Sequence, residues 1–179
     1  MNRLAAIALL LLSACGSVTP PEDDVNPPPP CEAARTDDFA MGIMVFDNPR
    51  WFKAFDDGCN QVEMETGLQG GWHIEPAIQA PRTATIQDLG GRILWSVKDE
   101  TGDEVARAEF ELFRSFWQTL EGGDAYWGDF VIFERNPEAL VGSQLTIECT
   151  LEFDEQSSLS DLTLVETVDF VDLKENTEF

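Results

Sequence analysis

The chain has 179 residues, with 34 Asp and Glu against 11 Lys and Arg and a formal net charge of −23 at pH 7. That length accommodates one domain with a sizeable core plus flanking segments. Charge of this sign excludes unassisted nucleic-acid binding and repels anionic lipid headgroups.

Residues 1–14 read as a signal peptide: Arg3 supplies a positive start, Leu4 to Leu12 an apolar run, and small residues follow. The run is about half of the roughly 20 residues a membrane-spanning helix needs, so it targets rather than spans. The residues Leu12-Ser13-Ala14-Cys15 resemble the lipobox of bacterial lipoproteins, a leucine, two small residues and a cysteine. The resemblance implies acylation of Cys15, cleavage in front of it and attachment to a membrane. Gly16 in place of Asp after that cysteine implies the outer membrane. Residues 15–35 then form a lipidated tether that contains Pro20, Pro21 and the run Pro27 to Pro30. Such chain is stiff and extended at ~3.1 Å per residue, enough to hold residues 36–179 away from the lipid.

Export leads to an oxidising compartment, where Cys31, Cys59 and Cys149 remain as thiols once Cys15 is acylated. Cys149 falls on the apolar side of a strand and Cys59 directly precedes another. This placement favours an inter-sheet Cys59–Cys149 disulfide, with Cys31–Cys59 as the competing pair.

Along residues 36–179 the apolar residues recur with period two, the strand signal. The predicted strands are Phe39 to Phe46, Gln61 to Thr66, Trp72 to Gln79 and Thr83 to Gln87, then one carrying Ile93, Trp95 and Val97, then Val105 to Trp117. Leu145, Ile147, Cys149, Leu151 and Phe153 mark the clearest half-buried strand, and Leu162, Leu164, Val168 and Phe170 another, with Glu166 breaking the pattern. Glycine- and Asp-rich turns separate them at Asp56-Asp57-Gly58, Gly70-Gly71, Gly90-Gly91, Asp99 to Asp103 and Gly122-Gly123-Asp124. Asn136 to Val141 reads as one helical turn, capped by Asn136, opened by Pro137 and stopped by Gly142. A turn just before the penultimate strand is common in immunoglobulin-like sandwiches, where it crosses between sheets. The expected fold is therefore all-β: an immunoglobulin-like antiparallel β-sandwich of seven to eight strands with one short helical turn.

The stretch Gly67-Leu68-Gln69-Gly70-Gly71-Trp72-His73-Ile74 holds the single histidine. It resembles a segment of uncharacterised predicted lipoproteins of myxobacteria and their relatives, in which Gln-Gly-Gly, an aromatic and His open a strand. That resemblance implies a fold and an address but no activity. If Trp72 and Ile74 face the core, His73 and Glu75 share the opposite face and could hold a transition metal with Glu65 or Asp88. The loop Asp99-Glu100-Thr101-Gly102-Asp103-Glu104 offers oxygen ligands at alternate positions, as a calcium loop does. It lacks the EF-hand spacing, and a hairpin turn explains it more cheaply.

Phe113, Phe116, Trp117, Tyr126 and Trp127 bracket the Gly122-Gly123-Asp124 turn. Trp117, Tyr126 and Trp127 could form a binding patch for sugar rings or a protein. The same residues could instead plug one end of the sandwich, and the apolar run Phe130 to Phe133 that follows is expected to be buried. There is no nucleophile elbow, no phosphate-binding glycine loop and no second histidine for a triad or zinc site. The expected function is a non-enzymatic binding or structural module of the cell envelope. Its anchor is the membrane and its partner an envelope protein or polysaccharide. Divalent-cation binding, with calcium or a transition metal as cofactor, and carbohydrate binding are the alternatives.

Overall fold

The computed structural model describes residues 37–46, 49–55, 60–67, 71–120, 122–134 and 137–174. Cys15, the proline tether, Cys31, Cys59, the Asp56-Asp57-Gly58 turn, Gln69-Gly70 and the Asn136 cap lie outside them. The chain forms β1 (Ala40–Val45), β2 (Trp51–Ala54), β3 (Gln61–Thr66), β4 (Trp72–Ile74), β5 (Pro76–Gln79) and β6 (Gly91–Lys98). It continues through β7 (Glu104–Leu112), β8 (Gln118–Leu120), β9 (Gly123–Tyr126), β10 (Val131–Ile132), β11 (Gln144–Phe153) and β12 (Leu162–Lys174). Two sheets result, one of five strands in the order β2-β1-β5-β9-β8 and one of seven in the order β10-β4-β3-β12-β11-β6-β7.

A single main core lies between them. Met41, Ile78 and Tyr126 of the five-stranded sheet pack in the same buried cluster as Met64, Trp95, Ile147 and Phe170 of the seven-stranded one. β11 follows its sequence pattern, with Leu145, Ile147, Cys149 and Leu151 inward and the intervening residues half-exposed. Trp95 on β6 stands opposite Cys149 in the ladder, so the centre of this face is an aromatic beside a small thiol.

Several expectations are corrected. The described residues hold twelve strands rather than seven or eight, because β2, β8, β9 and β10 span only 2–4 residues and show too little alternation to register. The sandwich is not wholly antiparallel: β12 pairs with β3 in parallel, with a register irregularity between Phe170 and Asp172. Period two encodes which face a residue takes and carries no information about strand direction. The segment Trp72 to Gln79 is two strands in different sheets, breaking at Glu75.

Thr83 to Gln87 is not a strand. The Thr85 hydroxyl donates to Asp88 Oδ2 at 2.6 Å around a 3₁₀ turn at Ile86–Asp88, a local bond that outcompetes the ladder. The Val105 to Trp117 strand ends at Leu112, followed by a 3₁₀ turn at Arg114–Phe116. Arg114 there reaches Asp154 Oδ2 at 2.7 Å and the Gln87 carbonyl at 2.9 Å. These bonds pass so close to Gly90 that a Cβ would sit 2.7 Å from the guanidinium carbon. The expected turn before the penultimate strand is a 3₁₀ turn at Pro137–Leu140, one of three among the described residues, and Gly142 ends it with φ +83°. It does not cross between sheets, since β10 and β11 belong to the same one.

Cys149 carries a free, fully buried thiol, so the structure does not contain the expected Cys59–Cys149 bridge. Its position on the inner face, between Trp95 of β6 and Leu164 of β12, surrounds it with apolar neighbours instead of a sulfur.

Candidate functional site

Where β4 leaves the seven-stranded sheet and β5 joins the other, the sheets part and a cleft of about 260 Å³ opens. Ile43, Phe55, Val62 and Ile147 form its apolar walls, and Glu63, Glu65 and Glu75 its acidic rim. The volume approaches the lower end of small-ligand sites, ~300 Å³. His73 is buried at 6% exposure, with its ring edge-on to Phe130 at 4.7 Å between centroids and its Nε2 3.4 Å from Glu75 Oε1. In the ladder His73 faces Glu65 on β3 and Ile132 on β10. Gly67 leaves room beside it: a Cβ there would lie 3.5 Å from Nδ1.

The structure thus brings His73, Glu75 and Glu65 to one cleft, as the sequence suggested, but not Asp88. The Asp88 carboxylate accepts from Thr85 Oγ1, Ser158 N and Ser158 Oγ at 2.6–2.9 Å, and these bonds hold its pKa down to about 2. Asp99 and Asp103 shape the β6–β7 hairpin. Asp99 Oδ1 accepts from Thr101 N at 2.9 Å, Thr101 Oγ1 at 2.6 Å and Asp103 N at 3.1 Å, the pattern of an Asx turn. Glu104 takes the Ser96 hydroxyl at 2.7 Å and Glu100 the Gln144 amide at 3.2 Å. Among the described residues no group of three or more His, Cys, Asp and Glu side chains gathers to hold a metal ion.

The aromatic residues divide in a way the sequence did not separate. Trp117 and Tyr126 are buried with their rings 5.7 Å apart, as the plug reading expects, and Tyr126 also borders a depression described below. The polar tips explain the placement: Trp117 Nε1 donates to the Leu89 carbonyl at 2.8 Å and the Tyr126 hydroxyl to Asp129 Oδ1 at 2.8 Å. Trp127 is half-buried, edge-on to Phe46 at 6.4 Å, and lines the His73 cleft.

Phe113 and Phe116 are instead the exposed rings, at 54% and 53%, packed edge-to-face at 5.4 Å. The run Phe130 to Phe133 is not uniformly buried: Val131 and Phe133 point inward, while Phe130 and Ile132 face water. It is a short strand that alternates, and its apolar outer side shields His73 through Phe130.

A second depression of about 470 Å³ lies between Phe110, Phe113, Phe116, Tyr126, Trp127 and Asp129. Asp129, which sequence reasoning missed, is 5% exposed and accepts hydrogen bonds from Trp95 Nε1 at 2.9 Å and Tyr126 Oη at 2.8 Å. Burial pushes its carboxyl pKa up, partly countered by the two donors. No periodicity signals such a residue; the hint was only an acid wedged between aromatic neighbours in Trp127-Gly128-Asp129-Phe130.

No protein-family model matches the chain, and no curated protein matches it. Among solved structures the CooA pilin subunit from enterotoxigenic Escherichia coli aligns with 73% of this chain and 98% of its own, at 7% identity and a TM-score of 0.27. A likeness that distant carries no argument about fold or function.

Proposed function

We propose that this chain is a lipoprotein of the bacterial cell envelope, anchored through acylated Cys15 and held off the outer membrane by its proline tether. Its domain, an immunoglobulin-like sandwich, acts as a non-enzymatic binding module. The observation that carries the binding reading is the cleft at the β4–β5 crossing, which sets an apolar interior behind a rim of carboxylates. Apolar walls with a few convergent polar groups suit capture of a protein or envelope ligand. The oxidising compartment leaves Cys31 and Cys59 as a candidate disulfide beside the free Cys149.

Divalent-cation binding is the second reading, favoured by the approach of His73 to Glu75 beside Glu65 in one cleft. Calorimetry with zinc, copper and calcium on chelator-treated protein tests it: heat that is lost in His73→Ala supports it, and no heat removes it.

For the main reading, cells grown with an alkyne analogue of palmitate are fractionated. Label and membrane association that both vanish in Cys15→Ser are expected; membrane-bound label surviving that change contradicts the anchor. Purified protein is expected to turn over nothing in a broad hydrolase screen, and turnover contradicts the non-enzymatic reading.

A further inference from the structure

The groove over Asp129 stands apart from the His73 cleft and shares only Trp127 with it. Asp129 is nearly enclosed, yet its two partners among the described residues, Trp95 Nε1 and Tyr126 Oη, are neutral donors, one to each oxygen. A carboxylate has about four acceptor directions, so each oxygen retains a further one. Among the described residues no Lys or Arg lines the groove. Arg114, in the turn between the two exposed phenylalanines, is bound to Asp154 and the Gln87 carbonyl.

We propose that this groove receives an arginine side chain of a protein partner, its guanidinium directed at Asp129 and stacked among Phe113, Phe116 and Trp127. Two features of the groove point to that chemistry. Its walls are built from the aromatic residues Phe110, Phe113, Phe116 and Trp127, a class of side chain that attracts a guanidinium both by cation–π interaction and by planar stacking. Its charged lining residues, Glu111 and Asp129, are both acidic, beside the neutral Ser115 and Gln118, on a protein of net charge −23 that draws basic partners. The exposed Phe113–Phe116 pair supplies apolar surface that a partner would cover. A guanidinium in the groove would also offset the electrostatic cost of burying the Asp129 carboxylate.

The test uses ¹⁵N-labelled, detergent-solubilised full-length protein and follows its tryptophan indole N–H signals. Nα-acetyl-arginine amide is added at millimolar concentration, with Nα-acetyl-citrulline amide as the neutral isostere at matched ionic strength and methyl glucoside as a sugar probe. Saturable shifts of the Trp95 and Trp127 signals with arginine, and at least tenfold weaker response to citrulline, are expected. Phe113→Ala/Phe116→Ala, which changes only exposed rings, is expected to weaken the arginine response at least fivefold. Asp129→Asn should abolish it with the remaining indole signals in place; if that variant unfolds, the phenylalanine variant and the citrulline comparison decide. Equal responses to arginine and citrulline, an unaffected phenylalanine double variant, or a response to the sugar alone would overturn the proposal.

Discussion

Trp95 Nε1 donates to Asp129 Oδ2 at 2.9 Å, tying the middle of β6 to the loop after β9 and so one sheet to the other through a buried polar contact. Tyr126 completes the arrangement from the five-stranded sheet. Removing the acceptor leaves an indole N–H and a phenol without it inside the protein, at about 1–3 kcal/mol for each buried group left unsatisfied. Asp129→Ala is therefore expected to lower unfolding stability by about 2–4 kcal/mol in urea melts. Replacing Trp95 by Phe, which removes one donor and leaves Tyr126 in place, should cost less.

The pH dependence of stability separates two carboxylates. Asp129 has its pKa raised by burial, so its contribution is fully present below the ordinary carboxylate value and is lost as pH rises through the folded one. Asp88, held at about 2 by bonds from Thr85 and Ser158, does the reverse: its contribution is present above the ordinary value and is lost as pH falls towards 2. Urea midpoints measured from pH 2 to 8 should show Asp88→Asn losing less stability on acidification than the parent. The disadvantage of Asp129→Asn should shrink as pH rises from 4.

Cys149 is fully buried, and that burial raises its thiol pKa above the ordinary range. The thiolate is the reactive form, so in a chain with the other three cysteines changed to Ser, Ellman's reagent is expected to detect no thiol until the protein unfolds. Cys149→Val should cost under about 1.5 kcal/mol, as a near volume-conserving swap in the core. Rapid native-state reaction would show that this face of β11 opens.

Gln79 is 1% exposed, and neither its amide nitrogen nor its oxygen finds a hydrogen-bond partner among the described residues. It lies in register between Ala40 and Ala125, on the face where Met44, Phe52 and Ala77 make a small second cluster. Gln79→Leu should raise stability by about 1–2 kcal/mol in urea melts by removing the unpaired amide. A loss of stability would reveal that the amide is satisfied.

What the sequence discloses of this fold is its long strands. β3, β6 and β11 alternate over 6–10 residues with one face buried, and each was legible from period two alone. The edges were not, because β8 and β10 are too short to show a period and the break at Glu75 sits inside an uninterrupted apolar pattern. For the site, the placement of His73 and Glu75 two residues apart foreshadowed their observed approach. The roles of Trp117 and Trp127 could not be told apart, since burial there depends on whether a distant carbonyl, that of Leu89, meets the indole. Asp129 stayed hidden for a related reason: Tyr126 is a local partner three residues away, but its burial and its bond to Trp95 are tertiary.

The binding reading is tested most directly by photocrosslinking in intact cells, with a benzophenone amino acid placed at Glu65 on the cleft rim and, as control, at exposed Arg107 on the edge strand β7. A discrete crosslinked product from position 65, absent from position 107 and lost in Ile43→Trp, which fills the cleft, is the expected result. No product from position 65, or the same products from both positions, would contradict a binding role for the cleft.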